Sequence, residues 1–342
     1  MRKLNLLYLL PAVAFLSCSD ETITDPLSTE ELSNELINAN VEVAYPNEIG
    51  NLSTVFFAGK EITVEEIDGE YIYEGDIKLS PEMLSQKEPK LVYEPGEKAP
   101  EKSVGRTSGM WPNNTVYYAI DGNLGDQARV TDAIKHWESS TNIKFVLRSS
   151  QSNYIYFTSG SGCSSYIGMI GGKQNITLAS GCSTGSTIHE IGHAIGLWHE
   201  QSRVDRDNHI KVNYENIQSG REHNFKTYKE SGYDGKEFTT SLDFGSIMMY
   251  GPYSFSSNGQ PTIVRANGST FSVQRSVLSS GDVQGANSMY PSSTVVAPAY
   301  INGQTYILYG VTVLRYNDAW WYYSRTHGWR EVILRSGYWY YK

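Results

Sequence analysis

Three histidines and one glutamate at fixed spacing offer the clearest chemistry in this chain of 342 residues. They lie in the segment His189-Glu190-Ile191-Gly192-His193-Ala194-Ile195-Gly196-Leu197-Trp198-His199. His189 and His193 are one helical turn apart, so in a helix both imidazoles project from one face and can bind a single metal ion. Gly196 can adopt a positive φ at no steric cost, which would end the helix and bring His199 back to the same point.

Three neutral imidazole nitrogens leave a bound zinc ion with an open position for water. Glu190, adjacent to His189, can accept the proton of that water, whose pKa the metal lowers. The alternatives are histidines that are merely exposed on a helix and a structural zinc ion without catalysis. The full HExxHxxGxxH pattern arises by chance in about one such chain in a hundred thousand, and structural sites favour four protein ligands. The pattern therefore predicts one catalytic zinc ion per chain.

The residues that follow resemble those of the astacins, a family of metzincin zinc endopeptidases. Glu200-Gln201-Ser202-Arg203-Val204-Asp205-Arg206-Asp207 is similar to the astacin continuation after the third histidine. Asp243-Phe244-Gly245-Ser246-Ile247-Met248-Met249-Tyr250-Gly251 resembles the Met-turn of the family and its trailing tyrosine. The similarity covers about residues 105–290, and it implies a protease that cleaves internal peptide bonds of proteins.

The resemblance also implies roles for residues outside the zinc motif. Met248 would form the apolar floor beneath the zinc, and Tyr250 would be a fifth ligand that swings away to donate a hydrogen bond to the tetrahedral oxyanion. Glu200 would contact the buried new N-terminus of the matured enzyme. The alternatives are a buried structural tyrosine for Tyr250 and one more solvated acid for Glu200. Met249 stands where the family commonly has histidine, at a position that is not a ligand.

Periodicity places the elements that must position these side chains. Thr115–Ile120, Ile143–Leu147 and Tyr154–Thr158 have the pattern of strands. Gly125–Ser139 has apolar residues spaced for one buried side of a helix, and a second helix is predicted from Thr187 to about Ile195. This mixture predicts an α+β domain with a twisted sheet and two long helices. The resemblance implies a metzincin-like protease domain with its cleft between two subdomains.

The N-terminus has the features of an export signal. Met1-Arg2-Lys3 precedes an apolar run from Leu4 to Leu16, which predicts a signal peptide over residues 1–17 that is too short to span a bilayer. Phe15-Leu16-Ser17-Cys18 resembles a bacterial lipobox, so we expect cleavage before Cys18 and acylation of its sulfur. The alternative is an ordinary signal peptide cleaved nearby. The interpretation predicts an outer-membrane or cell-surface lipoprotein that contacts the membrane only through its lipid.

With Cys18 carrying lipid, Cys163 and Cys182 remain as an even pair in an exported protein, where a disulfide can persist. Two buried thiols are the alternative. The resemblance matches the pair to a bridge of the astacins that would brace the loop leading into the zinc helix. The second disulfide that is usual in the family has no cysteines here.

Charge and composition divide the chain into regions. The formal net charge is −9, which gives a nucleic-acid partner no global electrostatic support. Residues 18–102 hold 20 acidic and 6 basic side chains. We expect residues 18–102 to be a lipid-anchored tether and inhibitory propeptide, 103–293 the catalytic domain, and 294–342 a small aromatic-rich β module.

A short motif in the acidic region predicts how the precursor is kept inactive. Tyr73-Glu74-Gly75-Asp76-Ile77 resembles the FxGD aspartate switch of astacin propeptides, with tyrosine in place of phenylalanine. Gly75 would let the backbone approach the cleft closely, and the carboxylate of Asp76 could occupy the zinc position that water needs. The alternative is a simple polar turn.

Residues 81–109 are rich in Lys, Glu, Pro and Gly and are predicted to be an exposed linker open to proteolysis. Activating cleavage is expected between Lys98 and Arg106, which would free an N-terminus to reach Glu200.

The last 45 residues, 298–342, hold 13 aromatic residues and four of the seven tryptophans. Trp320-Trp321-Tyr322-Tyr323 and Tyr338-Trp339-Tyr340-Tyr341, together with turn-like Asn317-Asp318 and Ser336-Gly337, predict a small β module of hairpin strands. The aromatic side chains are expected to form its core, since so short a chain needs large side chains to bury enough area. An exposed row that contacts glycan or protein is the alternative.

These observations lead to two hypotheses. The first is a secreted zinc endopeptidase, made as a latent precursor, that acts on protein or peptide substrates. The second is a surface-anchored glycan- or protein-binding lipoprotein with a vestigial zinc domain. The intact set of His189, Glu190, His193, His199 and Tyr250 favours the enzyme.

Overall fold

The computed structural model describes residues 43–57, 60–81, 84–85, 92–95, 110–231, 237–292, 300–308, 311–335 and 338–342. The predicted signal peptide, the predicted lipid-carrying Cys18 and the predicted cleavage region between Lys98 and Arg106 lie outside these residues. Within the described part of the chain, no helix has both the length and the apolar character needed to cross a membrane.

Three regions contribute the secondary structure. The N-terminal segment, defined here as residues 43–95, forms β1 (Asn51–Phe57), β2 (Lys60–Ile67), β3 (Glu70–Tyr73), β4 (Ile77–Leu79), β5 (Leu84–Ser85) and β6 (Val92–Tyr93). The central domain, residues 110–292, forms β7 (Thr115–Ile120), α1 (Ala128–Ser140), β8 (Lys144–Leu147), β9 (Tyr154–Thr158), β10 (Cys163–Tyr166), β11 (Lys173–Leu178), α2 (Thr184–Ala194), β12 (Ile210–Val212), β13 (Ile263–Arg265) and α3 (Ser280–Met289). The C-terminal module, residues 300–342, forms β14 (Thr305–Leu308), β15 (Val311–Tyr316), β16 (Ala319–Ser324), β17 (Gly328–Arg335) and β18 (Tyr338–Tyr341).

A ten-stranded sheet joins the N-terminal segment to the central domain. Its strand order is β5-β1-β2-β3-β4-β10-β11-β9-β7-β8. The two halves meet where β4 pairs in parallel with β10, with Ile77 opposite Ser165. Ser165 donates its backbone N–H to the carbonyl of Asp76 at 3.0 Å. The N-terminal segment therefore continues the sheet of the central domain at the strand edge nearest the metal motif.

The first helix packs as its apolar spacing predicts. Val130, Ala133, Ile134 and Trp137 of α1 are buried, and the indole of Trp137 donates to the carbonyl of Ile188 in α2 at 3.0 Å. This contact fixes the metal-binding helix against α1 beneath the sheet. The predicted bounds of the two helices differ from the observed ones by one to three residues at each end.

A second apolar cluster lies on the other side of the metal motif. It includes buried residues from the two-stranded sheet of β12 and β13 and from the loops around it, namely Ile210, Ile217, Phe225, Leu242, Met249, Tyr250, Ile263 and Phe271. The metal motif thus lies between two separately packed parts of the central domain, and the α+β fold predicted from the sequence is confirmed.

The C-terminal module is a small all-β sheet, as predicted. Its strands follow the order β14-β15-β16-β17-β18-β6, so hairpin-connected strands are joined at one edge by a strand of the N-terminal segment. Asn317 and Asp318 both have positive φ in the turn between β15 and β16. The aromatic residues divide between two roles: Trp339 and Tyr341 are buried, whereas Tyr316, Tyr323 and Trp329 are exposed.

The prediction of an exposed linker over residues 81–109 is wrong for β5 and β6. Leu84–Ser85 pairs with β1, and Val92–Tyr93 pairs in parallel with β18. Val92 is 4% exposed, because it fills an apolar cluster of the C-terminal module. Local composition carried no signal for these pairings, since each depends on a strand edge elsewhere in the chain.

Candidate metal centre

Helix α2 positions two of the three histidines. It begins with a capping box, in which the side chain of Ser183 accepts from the backbone N–H of Ser186 and the side chain of Ser186 accepts in return. His189 and His193 follow on one buried face, with ring centroids 4.8 Å apart. The predicted one-turn spacing is therefore present in a helix whose start is fixed by hydrogen bonds.

A glycine turn brings the third histidine to the same point. Gly196 has φ of 109°, outside the range that other residues adopt readily, and it lies two residues after Ala194, the last residue of α2. The reversed chain places the ring of His199 with its centroid 4.6 Å from that of His193 and 5.3 Å from that of His189. The role expected for Gly196 matches this geometry.

Each imidazole is oriented through its Nδ1 atom. Nδ1 of His189 lies 2.7 Å from the carbonyl of Ile247, and Nδ1 of His193 lies 2.7 Å from the carbonyl of Leu197. Because a carbonyl oxygen only accepts, these two Nδ1 atoms carry protons and each neutral ring turns an Nε2 lone pair inward. Nδ1 of His199 lies 2.9 Å from the carboxylate of Glu74.

Asp76 of the N-terminal segment completes the group. Its Oδ2 lies 3.3 Å from Nε2 of His189 and 3.2 Å from Nε2 of His199, and its Oδ1 lies 3.5 Å from Nε2 of His193. All four side chains are buried, and their ligand atoms lie within 4.8 Å of one another. The structure thus brings the predicted aspartate to the three predicted histidines.

The donor set fits a zinc ion. Nε2 of His189 and Nε2 of His193 are 3.1 Å apart, so two inward lone pairs face each other and repel unless a cation lies between them. Bonds of about 2 Å to a tetrahedral ion place its ligand atoms about 3.3 Å apart, which is the spacing of this group. His189, His193, His199 and Asp76 therefore form one buried site that can hold one zinc ion.

Burial and charge shift the titration of these groups. Burial lowers the pKa of His189 to about 4, so its imidazole is neutral at pH 7, as a metal ligand must be. Burial acts to raise the pKa of Asp76, but the histidines around it hold that pKa well below its usual range. The carboxylate of Asp76 is accordingly ionised and adds the negative charge that a divalent ion favours.

Glu190 follows His189 directly in α2 and is 0% exposed. Its carboxylate is thus held in the interior of the domain beside the first histidine, where bulk water does not solvate it.

Tyr250 lies over the third histidine. Its ring centroid is 4.5 Å from that of His199, and its hydroxyl donates to the backbone carbonyl of Glu74 at 2.5 Å. The side chain is buried, and its backbone N–H donates to Gln201, in the loop after the motif. The hydroxyl is therefore engaged by the N-terminal segment.

The Met-turn residue packs against the metal-binding helix. Met248 is buried, and a Cβ added to Gly192 would lie 2.6 Å from its Sδ. A side chain at position 192 would thus displace the thioether, so the glycine between the two helical histidines is needed for this close approach. The neighbouring Met249 turns into the second apolar cluster, away from the histidines.

Glu200 lies in a pocket behind the third histidine. Its Oε1 accepts from the backbone N–H of Asp243 at 2.9 Å, and Arg203 lies 3.5 Å away. Burial raises the pKa of Glu200 to about 7. Glu237, Asp243 and Asp282 also line this pocket, so its acidic side chains outnumber Arg203.

A disulfide connects β10 to the loop before α2. Cys163 at the start of β10 is bonded to Cys182, just before the cap of α2. The predicted bridge is present, and it ties the strand that pairs with β4 to the loop that leads into the zinc helix.

Glu74 is the residue of the site that the sequence did not indicate. Its carboxylate faces His199 and its carbonyl faces Tyr250, while its backbone has a positive φ of 45°. Its place between Tyr73 and Gly75 in the switch motif is the one signal in the sequence, and that motif assigns a role to Asp76 but none to Glu74.

Comparison with known proteins assigns the chain to a family. Residues 103–291 match the model of the astacins, peptidase family M12A. Flavastacin of Elizabethkingia meningoseptica is 33% identical over 301 residues, which cover 84% of this chain and 64% of flavastacin. Zinc metalloproteinase nas-4 of Caenorhabditis elegans is 35% identical over 223 residues, covering 64% of this chain and 68% of that protein.

Other relatives are longer than the matched region. Blastula protease 10 of Paracentrotus lividus is 38% identical over 230 residues, covering 64% of this chain, but the chain spans only 38% of that protein. Among solved structures, high choriolytic enzyme 1, a hatching enzyme zinc-protease from Oryzias latipes, is 30% identical with a TM-score of 0.49, covering 54% of this chain and 93% of that one. On the family match over more than half its length, the chain belongs to the astacin family, peptidase family M12A.

Proposed function

We propose that the chain is a zinc-dependent endopeptidase that hydrolyses internal peptide bonds of proteins and is made as a latent precursor. The observation that carries the proposal is the convergence of three oriented Nε2 atoms, from His189, His193 and His199, beside the buried Glu190. Zinc, when bound there, supplies a Lewis acid that polarises a carbonyl group and makes water more acidic.

The protein's own groups carry the remaining steps. Glu190 accepts the proton of the attacking water at its carboxylate, and burial excludes competing solvent around it. Tyr250 donates its hydroxyl proton as a hydrogen bond to the oxyanion once that hydroxyl has left the carbonyl of Glu74. Met248 supports the site from below through its contact with Gly192.

Residues 18–102 act in this proposal as an inhibitory propeptide in front of a catalytic domain of residues 103–293. Asp76 serves as the zinc ligand of the latent form, because its carboxylate already lies 3.2–3.5 Å from all three Nε2 atoms. A carboxylate in that place leaves no position for the water that hydrolysis needs.

Contacts away from the metal hold the segment in place. Arg221 forms a buried ion pair with Glu65 of β2 at 2.6 Å and donates to the carbonyl of Glu48 at 3.0 Å. The hydroxyl of Tyr73 donates to that of Ser231 at 2.6 Å. These polar contacts, together with the β4–β10 pairing, support a stable precursor in which the cleft is covered.

Activation is proposed to follow cleavage between Lys98 and Arg106. The freed N-terminus of the catalytic domain then reaches Glu200, whose pocket also carries Asp243 and Asp282 and so favours a cationic ammonium group.

Export and anchoring complete the proposal. The signal peptide over residues 1–17 and the lipid on Cys18 would place the enzyme at the outer membrane or cell surface, from which the catalytic domain is released once the cut propeptide dissociates. The Cys163–Cys182 disulfide agrees with an oxidising compartment.

The C-terminal module is proposed to contact glycan or protein outside the cleft. Its exposed Tyr323 and Trp329 form a ring pair with centroids 5.4 Å apart, a surface suited to stacking. The complete set of site residues makes a purely adhesive lipoprotein with a vestigial zinc domain the weaker hypothesis.

Hydrolysis of casein tests the proposed activity. The full chain is first cut in its linker with trypsin and then assayed with and without a chelator, followed by added zinc. The proposal expects hydrolysis that the chelator abolishes and zinc restores, whereas no hydrolysis, or hydrolysis that persists in excess chelator, would contradict it. Trypsin is inhibited before the assay, and a Glu190→Gln chain treated in the same way measures what trypsin itself contributes.

A further inference from the structure

We propose that the C-terminal module is a binding site for an extended peptide strand and that β6 of the N-terminal segment is its resident ligand. The site goes beyond the proposed proteolysis, since neither the metal ligands nor Glu190 take part in it.

The sheet of the module offers an edge for strand addition. Strands β14 to β18 come from one continuous stretch of chain and pair as successive antiparallel neighbours. β6 alone comes from residues that precede the central domain, and it pairs in parallel with β18, with Val92 opposite Trp339. Without β6, the backbone groups of β18 on that side would form an open sheet edge, the usual receptor for an added strand.

The edge carries an apolar pocket for one side chain of the added strand. Val92 packs into a cluster of buried residues from the module: Val311, Val313, Val332, Trp339 and Tyr341. Trp339 is 1% exposed, and its indole donates to the carbonyl of Leu308 at 3.0 Å. The pocket wall is therefore fixed by the module's own hydrogen bond.

A charged group beside the pocket receives a carboxylate. Arg330 donates from Nη1 and Nη2 to the two carboxylate oxygens of Glu94, at 3.2 and 3.4 Å. The same guanidinium lies 3.7 Å from the ring centroid of Tyr341, so the module itself positions this arginine. The ligand that fits is an extended peptide with an aliphatic residue and a carboxylate two residues later, running parallel to β18.

The position of β6 in the chain determines what the site binds after activating cleavage. Tyr93 ends β6 five residues before Lys98, where the proposed cleavage window opens. A cut in that window leaves β6 on the N-terminal segment, so the module retains the cut segment through β6. Once the segment leaves, the edge accepts an extended stretch of another polypeptide with the same pattern.

Peptide binding to the full chain tests this proposal. The probe is a fluorescent peptide of residues 88–97, and the protein variant is Val92→Asp, which expels β6 from the apolar pocket. We expect the probe to bind the variant at least tenfold more tightly than it binds the unsubstituted chain, whose site β6 already occupies. Thr312→Asp, at an exposed position of β15, is the matched control and should bind as weakly as the unsubstituted chain.

A probe with an altered sequence distinguishes specific binding at this site from nonspecific adhesion. A probe with the same valine changed to aspartate should lose binding to the Val92→Asp chain by at least tenfold. Equal binding of both probes, or equal binding to both chains, would overturn the proposal.

A second variant covers the case in which Val92→Asp disrupts the module. Glu94 and Arg330 lie at the partly exposed rim, so Glu94→Arg leaves the apolar cluster intact. It should increase probe binding several-fold over the unsubstituted chain. Adding Arg330→Glu should return binding to the original level, since the reversed pair restores the resident strand and repels the probe. Probe binding by Glu94→Arg that equals binding by the unsubstituted chain, or binding by the double variant that equals binding by Glu94→Arg, would overturn the proposal.

Discussion

The carboxylate of Glu74 lies 2.9 Å from Nδ1 of His199, and both side chains are fully buried. The carbonyl of Glu74 also accepts the hydroxyl proton of Tyr250 at 2.5 Å. One residue of the N-terminal segment thus holds a metal ligand and the proposed oxyanion donor, two residues before the carboxylate that faces the metal position.

Replacing Glu74 should weaken zinc binding by the precursor. A carboxylate that accepts from the second nitrogen of a ligating imidazole fixes the ring and raises its basicity, and its loss typically costs 10–100-fold in affinity. We expect Glu74→Ala to lower the zinc affinity of the uncleaved chain about tenfold, measured by competition with a chelating indicator. Glu66→Ala, at an exposed position of β2, is the control and should leave the affinity unchanged. Equal zinc affinities of the Glu74→Ala chain and the unsubstituted chain would show that Glu74 does not have this role.

Replacing Glu190 should separate metal binding from catalysis. The amide of Glu190→Gln is isosteric but cannot take the proton of water, so we expect one zinc per chain and a loss of proteolysis of about 10²–10⁴-fold or more after linker cleavage. His193→Ala should instead lose the metal itself. Metal analysis and peptide hydrolysis on the same samples distinguish the two, and near-normal turnover by Glu190→Gln would refute the assignment of the base.

The glycine before Asp76 should be necessary for latency. Gly75 has φ of 78°, and a Cβ there would lie 2.7 Å from Cζ of Phe255. We expect Gly75→Ala to loosen the segment and to raise the activity of the uncleaved precursor several-fold. Gly69→Ala is a matched control, because Gly69 has φ of 79° with nothing within 4 Å of the added Cβ. If the two variants are equally latent, the contact with Phe255 does not determine docking.

The disulfide should contribute measurably to stability. Cys163 and Cys182 are separated by 19 residues, and closing a loop of that size in the unfolded chain stabilises the folded state by about 3 kcal/mol. We expect the double change Cys163→Ala, Cys182→Ala to lower the free energy of unfolding by that amount in urea titration, and reduction of the unsubstituted chain to have a similar effect. An unchanged midpoint would show that packing alone fixes the loop before α2.

The three histidines of the metal site could be predicted from sequence because their arrangement depends on neighbouring residues in the chain. His189 and His193 share a helical face through their spacing, and Gly196 permits the turn that returns His199. Asp76 lies 113 residues before His189, and it could be predicted only because its motif resembles the aspartate switch of astacin propeptides. Residue type and spacing therefore determine the geometry of the three histidines, whereas the position of Asp76 depends on the pairing of β4 with β10.

The features that could not be predicted depend on distant partners. β6 forms only because β18, more than 200 residues later, provides an edge and a pocket for Val92. Helix α3 has a different cause: Gly281 and Gly285 lie within it and lower its helix propensity, so the local sequence does not predict it. The structure shows why a small residue stands there: a Cβ at Gly281 would lie 2.5 Å from Oδ2 of Asp243.

The activity of the uncleaved precursor with and without Asp76 tests the central claim most directly. Asp76→Ala removes the carboxylate from the three histidines, so the full chain, shown by mass to be intact, should hydrolyse a short peptide at least tenfold faster than the unsubstituted precursor. Glu61 is an exposed acid of β2, so the control variant Glu61→Ala should be as inactive as the unsubstituted precursor. The account would be contradicted by an Asp76→Ala precursor that is as inactive as the unsubstituted precursor before linker cleavage. This result counts only if the variant binds zinc and gains full activity after cleavage.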